Sequence, residues 1–195
     1  SNWLTTGPLV STFETTFSQT VGSQHAVSFS SGTAALHAAM HAAGIGRDAN
    51  DEVIVPAITF VATSNAVLYQ NAKPVFADVN SDSLLIDPED VARKITPNTK
   101  AIVAMDYAGQ PCNYAALRAL ADQHNLVLIS DACHSLGGAI GSNRVGNLAD
   151  FTCFSFHPIK QITSAEGGMV TTNSDPATTT LKEFRNHGIT TDHRQ

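Results

Sequence analysis

Short apolar runs recur along the chain, and small or polar residues close most of them. Seven such runs, rich in Val, Ile, Phe and Ala, predict β-strands. The inner runs are continuously apolar, which is typical of strands that are covered on both faces of a sheet. The predicted strands are residues 26–30, 52–56, 73–79, 100–105, 126–130, 151–156 and 168–172.

The segments between most of these runs have helical character. The Ala-rich segment after the first run ends on Gly44, as helices commonly do. Asp87, followed by Pro88 and two acidic residues, is a helix start signal. The predicted helices are residues 33–44, residues 60–69, a segment beginning at Asp87, residues 114–124 and residues 176–187.

The alternation of strands and helices predicts an α/β fold in a single domain. We expect a three-layer α/β/α sandwich around a mostly parallel sheet of about seven strands. The chain has 195 residues, of which 43% are hydrophobic, so it is long enough to bury a substantial core.

Charge, hydropathy and cysteine content argue against several kinds of partner. The formal net charge is -6, with 11 basic against 17 acidic residues and no Lys/Arg-rich run, so nucleic acid is not expected. No apolar stretch approaches the roughly 20 residues of a membrane span, and no signal segment opens the chain, so no membrane association is expected. Cys112, Cys133 and Cys153 form no CxxC pair, which favours a reducing, cytoplasmic location.

Polar or functional side chains follow five of the predicted strands at the point where each strand ends. Ligands of open α/β sheets bind beyond the carboxyl ends of the strands, so these residues form the candidate site. They supply an amine, a carboxylate, imidazoles, a flat ring and a Gly-Thr turn, which is the set that pyridoxal-phosphate (PLP) chemistry needs. The residues are Ser31, Gly32 and Thr33; Thr59 and Phe60; Asp106 and Tyr107; Asp131 and His134; His157 and Lys160.

Each of the main groups has both a functional and a structural interpretation. The turn at residues 31–33 leads into a helix whose free N–H groups favour a phosphate, but many such turns only cap helices. Asp131 is either a turn residue or an anion that keeps a pyridine nitrogen protonated. Lys160 is either a solvated loop lysine or a desolvated Schiff-base lysine. The glycine-rich turn at residues 165–168 favours the second interpretation of Lys160.

Other chemistries have weaker support in the sequence. Phe60 is either a core residue or a ring that stacks on a flat cofactor. His37 and His41 share a helix face, but a metal site needs further ligands and no HExxH motif occurs, so no metal is expected. The G-x-G-x-x-G, P-loop and G-x-S-x-G motifs are also missing, which argues against a dinucleotide-binding domain or an α/β-hydrolase.

Several segments resemble the DegT/DnrJ/EryC1/StrS aminotransferases, which have the fold type I architecture of PLP enzymes. The resemblance covers nearly the whole chain, and it is most specific in the run SFHPIKQITSAEGG. It looks most like the aminotransferases of the pseudaminic-acid pathway, which aminate C4 of a UDP-linked 4-keto-6-deoxy sugar. The matching segments are residues 4–8, 29–40, 56–67, 74–79, 131–138 and 154–173.

The resemblance implies a role for each of eight residues. Lys160 carries the cofactor as a Schiff base and later shuttles a proton. Asp131 pairs with the pyridine nitrogen, His134 hydrogen-bonds the ring hydroxyl, and Phe60 stacks on the ring. The residues implied to hold the phosphate are Gly32, Thr33, Ala34 and Ser155.

The function that the resemblance implies is transamination from glutamate to a nucleotide-linked 4-keto-6-deoxy sugar, at an active site shared across a homodimer. Residues 1–195 are then a PLP-binding large domain that is truncated at both ends and lacks the C-terminal small domain. Two alternatives stay open: an inactive PLP-fold domain that only binds cofactor or self-associates, and a PLP-dependent sugar dehydratase. Lys160 argues against the dehydratase, because dehydratases of this family carry histidine there. No clear role follows for His157, Glu166, Tyr107 or Arg185.

Overall fold

The fold is seen in a computed structural model that describes residues 6–189. Leu4 and Thr5, which begin the first segment of the resemblance, lie outside the described residues. The helices are α1 (Pro8–Val21), α2 (Gly32–Ala42), α3 (Val61–Tyr69), α4 (Pro88–Lys94), α5 (Tyr114–His124) and α6 (Asp175–Arg185). The strands are β1 (His25–Phe29), β2 (Glu52–Pro56), β3 (Lys73–Ala77), β4 (Thr99–Met105), β5 (Val127–Asp131), β6 (Ala139–Ile140), β7 (Asn143–Arg144), β8 (Phe151–Ser155) and β9 (Gly168–Thr172).

Seven of these strands form one sheet in the order β1-β9-β8-β5-β4-β2-β3. The pairs from β8 through β3 are parallel, whereas β9 runs antiparallel to both β1 and β8. The predicted mostly parallel, seven-stranded sheet is therefore confirmed, and each predicted strand overlaps one of its members. The short strands β6 and β7 pair in a separate hairpin that the sequence pattern does not predict.

Successive residues of one strand enter cores on opposite faces of the sheet. Val53 and Val55 of β2 pack in a cluster with residues of α2, α3 and α6. Ile54, between them, packs with residues of α4 and α5 on the other face. Helix α1 covers that second face near β8 and β9, where Phe17 packs in one cluster with Met169. Both faces are covered, which explains the continuously apolar runs and confirms the three-layer α/β/α sandwich.

Helix α1 is not predicted by the sequence pattern. Six of its 14 residues are Ser or Thr, and Gly7 at its N-cap makes no side-chain hydrogen bond. Both features are weak helix signals. Packing overrides them: Phe17 and Val21 are buried, and the Phe17 ring lies 5.1 Å from the ring of Phe154 in an edge-to-face arrangement.

A buried polar network joins α1, β1 and α6. The Glu14 side chain accepts hydrogen bonds from the Ser28 N–H and hydroxyl, each at 2.8 Å, and from the Arg185 guanidinium. The Arg185 guanidinium also lies 3.2 Å from the Ser28 hydroxyl. Arg185, which the sequence left without a role, therefore ties the last helix to the first and is not among the residues that line the cavity described below.

We expect Glu14→Ala to lower the free energy of unfolding by about 3 kcal/mol, because it leaves the Arg185 charge and two Ser28 donors without their acceptor. Urea denaturation measures this loss. Gln19→Ala, at an exposed position of the same helix, is the matched control and is expected to change stability by less than about 0.5 kcal/mol. Equal effects of the two substitutions would show that the network contributes nothing to stability.

The His37 and His41 pair packs on an aromatic ring. The two imidazoles lie 5.0 and 4.8 Å from the ring of Phe184 on α6. Burial, together with nearby His41, lowers the pKa of His37.

Within residues 6–189, no group of three or more His, Cys, Asp or Glu side chains is placed to hold a metal ion. Among the same residues, no helix has the length and apolar character to cross a membrane.

Candidate active site

The carboxyl ends of β4, β5 and β8 meet the start of α2 around a cavity of about 570 Å³. This volume is typical of small-molecule and cofactor sites. Both Lys160 and Asp131 line the cavity, so the amine and the acid share one space. Seven of the eight residues inferred from sequence are on its wall: Gly32, Thr33, Phe60, Asp131, His134, Ser155 and Lys160.

Two glycines allow the start of α2 to press against the ends of the neighbouring strands. A Cβ on Gly32 would lie 2.7 Å from Ser155 Cβ, and one on Gly168 would lie 2.5 Å from the Ser31 carbonyl carbon. Both separations are shorter than van der Waals contact, so a larger residue at either position has to displace its neighbour. The close approach places the helix N-terminus beside Ser155 at the cavity wall.

Some of the N–H groups at the start of α2 serve in capping, and others do not. The Ala34 N–H donates to the Ser31 side chain at 3.1 Å, and the Ala35 N–H donates to the Ser31 carbonyl at 3.0 Å. The first N–H groups of a helix have no intrahelical acceptor, so those of Gly32 and Thr33 stay available to an anion. Ala34 lies on this turn, but it is not among the residues that line the cavity.

Asp131 is the last residue of β5 and is 2% exposed. Its Oδ2 accepts a hydrogen bond from the Thr63 hydroxyl at 2.7 Å, and its Oδ1 lies 3.3 Å from the Cys133 N–H. A carboxylate has about four acceptor positions, so this one retains capacity for a protonated ring nitrogen in the cavity. A buried carboxylate with free acceptor capacity favours a nearby cation.

Lys160 lies on the loop that joins β8 to β9, and the two ends of that loop are tied together. Phe156 N–H donates to the Gly167 carbonyl at 2.8 Å, and the Phe156 carbonyl accepts from the Thr163 hydroxyl at 2.9 Å. The Lys160 N–H donates to the His157 carbonyl at 2.9 Å, which forms a tight turn at the lysine. Lys160 is therefore a half-buried residue that lines the cavity on a loop whose ends are held together.

His134 belongs to the loop after β5, and the loop that carries Lys160 contacts it. The Gln161 side-chain amide donates to the His134 carbonyl. Burial lowers the pKa of His134, the charge of Lys160 lowers it further, and Asp131 opposes both effects. A neutral imidazole presents one donor and one acceptor nitrogen, which suits a partner for a ring hydroxyl.

Other residues of the cavity wall were noted in the sequence without a role or were missed. Tyr107, His157 and Glu166 line the same cavity. Two further roles were missed: Cys133 lines the cavity, and Thr63, which is not among the lining residues, hydrogen-bonds Asp131. Burial raises the pKa of the Cys133 thiol well above its usual value. The sequence signal for Thr63 is its spacing of four residues from Thr59. A Thr at the start of a helix is common, so this spacing alone does not identify a functional residue.

Asp106 follows β4 and is held in a buried network behind the cavity. Its carboxyl group accepts from the Ser135 hydroxyl at 2.7 Å, the Cys112 N–H at 2.9 Å and the Tyr114 hydroxyl at 3.0 Å. Burial raises the pKa of Asp106, and these three hydrogen bonds oppose the shift. The Asp106 N–H also donates to the Asp131 carbonyl, so this network supports the strand end that carries the site.

The raised pKa of Asp106 predicts a stability that falls with pH. The folded state binds the proton more tightly than the unfolded state, so this contribution is full below about pH 4 and is lost as the pH rises through the folded pKa. We expect Asp106→Asn to keep two acceptor contacts and to remove the pH dependence that Asp106 causes. The wild type loses stability between pH 4 and pH 7 and the variant does not, so the stability of the variant relative to the wild type improves over this range. Urea denaturation at both pH values tests this, and a constant difference contradicts it. Asp106→Ala, the control, leaves three partners unpaired and costs about 1–3 kcal/mol or more at either pH.

The residues of the cavity fit PLP group by group. Two helix N–H groups and the Ser155 hydroxyl offer an anion cradle, the half-buried residue Lys160 offers an amine, and the buried Asp131 offers an acceptor. Phe60, 66% exposed at the N-cap of α3, offers an aromatic face at the cavity wall. The fold and site together define the class: a three-layer α/β domain of the kind found in PLP-dependent aminotransferases.

The chain belongs to the DegT/DnrJ/EryC1/StrS aminotransferase family, whose model matches residues 1–195. It is 43% identical over 190 residues to the GDP-perosamine synthase of Vibrio cholerae, covering 97% of this chain and 51% of that protein. The chain thus spans about half the length of the curated relatives it matches.

Two solved structures extend the comparison. PseC of Helicobacter pylori, an aminotransferase involved in pseudaminic acid biosynthesis, superposes with a TM-score of 0.93 at 36% identity, over 100% of this chain and 53% of PseC. DesI, solved in the presence of its TDP-sugar product, superposes with a TM-score of 0.89 at 39% identity, over 94% of this chain and 46% of DesI. The family resemblance inferred from the sequence is therefore confirmed.

Proposed function

We propose that this chain is the cofactor-binding domain of a PLP-dependent aminotransferase that transfers an amino group from glutamate to a nucleotide-linked 4-keto-6-deoxy sugar. The observation that carries the proposal is that Lys160, Asp131 and the Gly32-Thr33 turn line one cavity. An amine, a carboxylate and an anion cradle in one cavity are the contacts that this cofactor needs.

Each site residue has a definite task in this proposal. PLP supplies an electron sink when bound. Asp131 keeps the ring nitrogen protonated, His134 hydrogen-bonds the ring hydroxyl, and Phe60 covers one ring face. Lys160 anchors the cofactor and moves a proton between the cofactor's C4′ and the substrate carbon. The cradle of Gly32, Thr33 and Ser155 holds the phosphate.

The substrate class is supported by the relatives. One makes GDP-perosamine, and another was solved with its TDP-sugar product. The similarity to PseC supports an acceptor of the kind used on the route to pseudaminic acid. Beside the groups assigned to the cofactor, Tyr107, His157 and Glu166 supply hydroxyl, imidazole and carboxylate groups that suit a sugar. The choice of glutamate as donor rests on the family resemblance.

A homodimer that shares the active site is part of the proposal. Apolar side chains are exposed at the cavity wall: Phe60 and Ile159 are 66% and 80% exposed, and the adjacent Val61 is 56% exposed. Exposed apolar patches of this kind mark interaction surfaces. Light scattering on the purified protein is expected to give twice the mass of one chain, and a monomer contradicts this part of the proposal.

The proposed reaction is tested with purified protein, PLP, glutamate and a UDP-linked 4-keto-6-deoxy sugar. PLP is expected to give a visible absorption band, glutamate to bleach it, and the sugar to restore it with release of an amino sugar. A band that glutamate does not bleach supports the alternative of a domain that only binds cofactor. Amino transfer from glutamate also separates this function from that of a sugar dehydratase.

A further inference from the structure

A chain of hydrogen bonds runs from the cavity wall to Asp131. Thr59, which lines the cavity, has its hydroxyl 2.7 Å from the hydroxyl of Thr63. The Thr63 hydroxyl in turn lies 2.7 Å from Asp131 Oδ2. Thr63 is 0% exposed and Asp131 is 2% exposed, so solvent does not compete for the contact between these two residues.

The chemistry of the three groups gives this chain a direction. An ionised carboxylate only accepts hydrogen bonds, so the single hydrogen of the Thr63 hydroxyl is committed to Asp131. The contact between the two threonines then requires Thr59 to donate to Thr63. The order of donation is Thr59 to Thr63 to Asp131, and it holds while Asp131 carries its charge.

We propose that Thr63 is a positioning residue that holds the Asp131 carboxylate for the ring nitrogen of the cofactor, with Thr59 orienting Thr63. This inference rests on the proposed function. The contact to the carboxylate from the Cys133 N–H is 3.3 Å long, compared with 2.7 Å for the contact from the Thr63 hydroxyl. Hydrogen bonds to a charged group are the stronger kind and fix its geometry.

The location of Thr63 links it to a second cofactor contact. Thr63 lies in the first turn of α3, and its N–H donates to the carbonyl of Phe60 at 3.0 Å. Phe60 lines the cavity as the candidate for stacking on the ring. One helical turn therefore sets both the aromatic face and the orientation of the acid.

Thr63→Val removes the hydroxyl and keeps the β-branched shape. We expect it to weaken PLP binding about tenfold, which corresponds to about 1.4 kcal/mol, and to change the absorption spectrum of the bound cofactor. Thr63→Ser restores the hydroxyl and is expected to bind PLP within about twofold of the wild type, as one retained hydrogen bond predicts. Spectral titration with PLP measures both affinities.

Thr152→Val is the matched control. Thr152 is also 0% exposed, and its hydroxyl has no hydrogen-bond partner within residues 6–189. The same substitution at this site is expected to leave PLP affinity and spectrum unchanged. A loss at Thr152 equal to that at Thr63 would show that any buried Thr→Val change perturbs the site, and the inference would be overturned.

A double-mutant cycle with Asp131→Asn decides whether Thr63 acts through Asp131. If it does, Thr63→Val has a smaller effect on PLP affinity, and on the urea midpoint of the cofactor-free protein, once Asp131 is replaced. Additive effects in both measurements overturn the inference. Absence of PLP binding by the wild type contradicts the proposed function, whereas equal PLP binding by wild type and Thr63→Val overturns this inference alone.

Discussion

Lys160→Ala is expected to reduce amino transfer by a factor of about 10³ or more and to abolish covalent attachment of PLP. A positioned acid–base side chain alone contributes about 10²–10⁴-fold, and the substitution also removes the anchor for the cofactor. The backbone hydrogen bond from residue 160 to the His157 carbonyl does not need the side chain, so stability is expected to change by less than about 0.5 kcal/mol.

Borohydride reduction followed by peptide mass spectrometry measures the attachment directly. The wild type is expected to carry a PLP-derived mass on the peptide that contains Lys160, and Lys160→Ala is expected to carry none. Lys182→Ala is the matched control, because Lys182 is an exposed lysine of α6 that does not line the cavity. A label that persists at another lysine in Lys160→Ala would contradict the assignment.

Gly168→Ala is expected to lower the free energy of unfolding by about 1–3 kcal/mol and to impair PLP binding. The added Cβ would lie 2.5 Å from the Ser31 carbonyl carbon and 2.9 Å from the Gly32 nitrogen. Both are backbone atoms at the start of α2, so the helix N-terminus has to move to relieve the steric overlap. That movement displaces the N–H groups that form the phosphate cradle.

Gly167→Ala is the matched control for this prediction. The atom nearest to its added Cβ is the Ser164 hydroxyl oxygen, which belongs to a side chain that can rotate away. We expect Gly167→Ala to lose less stability than Gly168→Ala and to bind PLP with nearly unchanged affinity. Urea denaturation and spectral titration of both variants check this order, and unaltered PLP binding by Gly168→Ala would count against a cradle at the start of α2.

The order of elements along the chain follows from local pattern, because a strand that is buried on both faces must be continuously apolar. All seven predicted strands belong to the sheet, and its edge strands β1 and β3 are only partly buried. Helix α1 was not predicted because its sequence is rich in Ser and Thr, and burial of Phe17 and Val21 stabilises it. The β6-β7 hairpin was not predicted because each strand is two residues long, which is too short to show a hydrophobic pattern.

The sequence predicted which residues form the candidate site more fully than it predicted how those residues are arranged. Parallel strands end at the same edge of a sheet, so residues such as Asp131 and Lys160 were expected to meet, and the structure places both in one cavity. The hydrogen bond from Thr63 to Asp131 joins residues 68 positions apart, and no local signal encodes such a contact. The same holds for Arg185, which pairs with Glu14 across 171 positions.

The sequence by itself determined the class of fold, the family and the residue types that meet at the strand ends, because periodicity and motifs are local properties. Tertiary structure alone decided that the start of α2 lies against the end of β8, where a Cβ on Gly32 would lie 2.7 Å from Ser155 Cβ. It also decided which hydroxyl orients Asp131 and which carboxyl group, Asp106, is buried behind the site. These features depend on distances between segments that are remote in sequence, and only packing sets those distances.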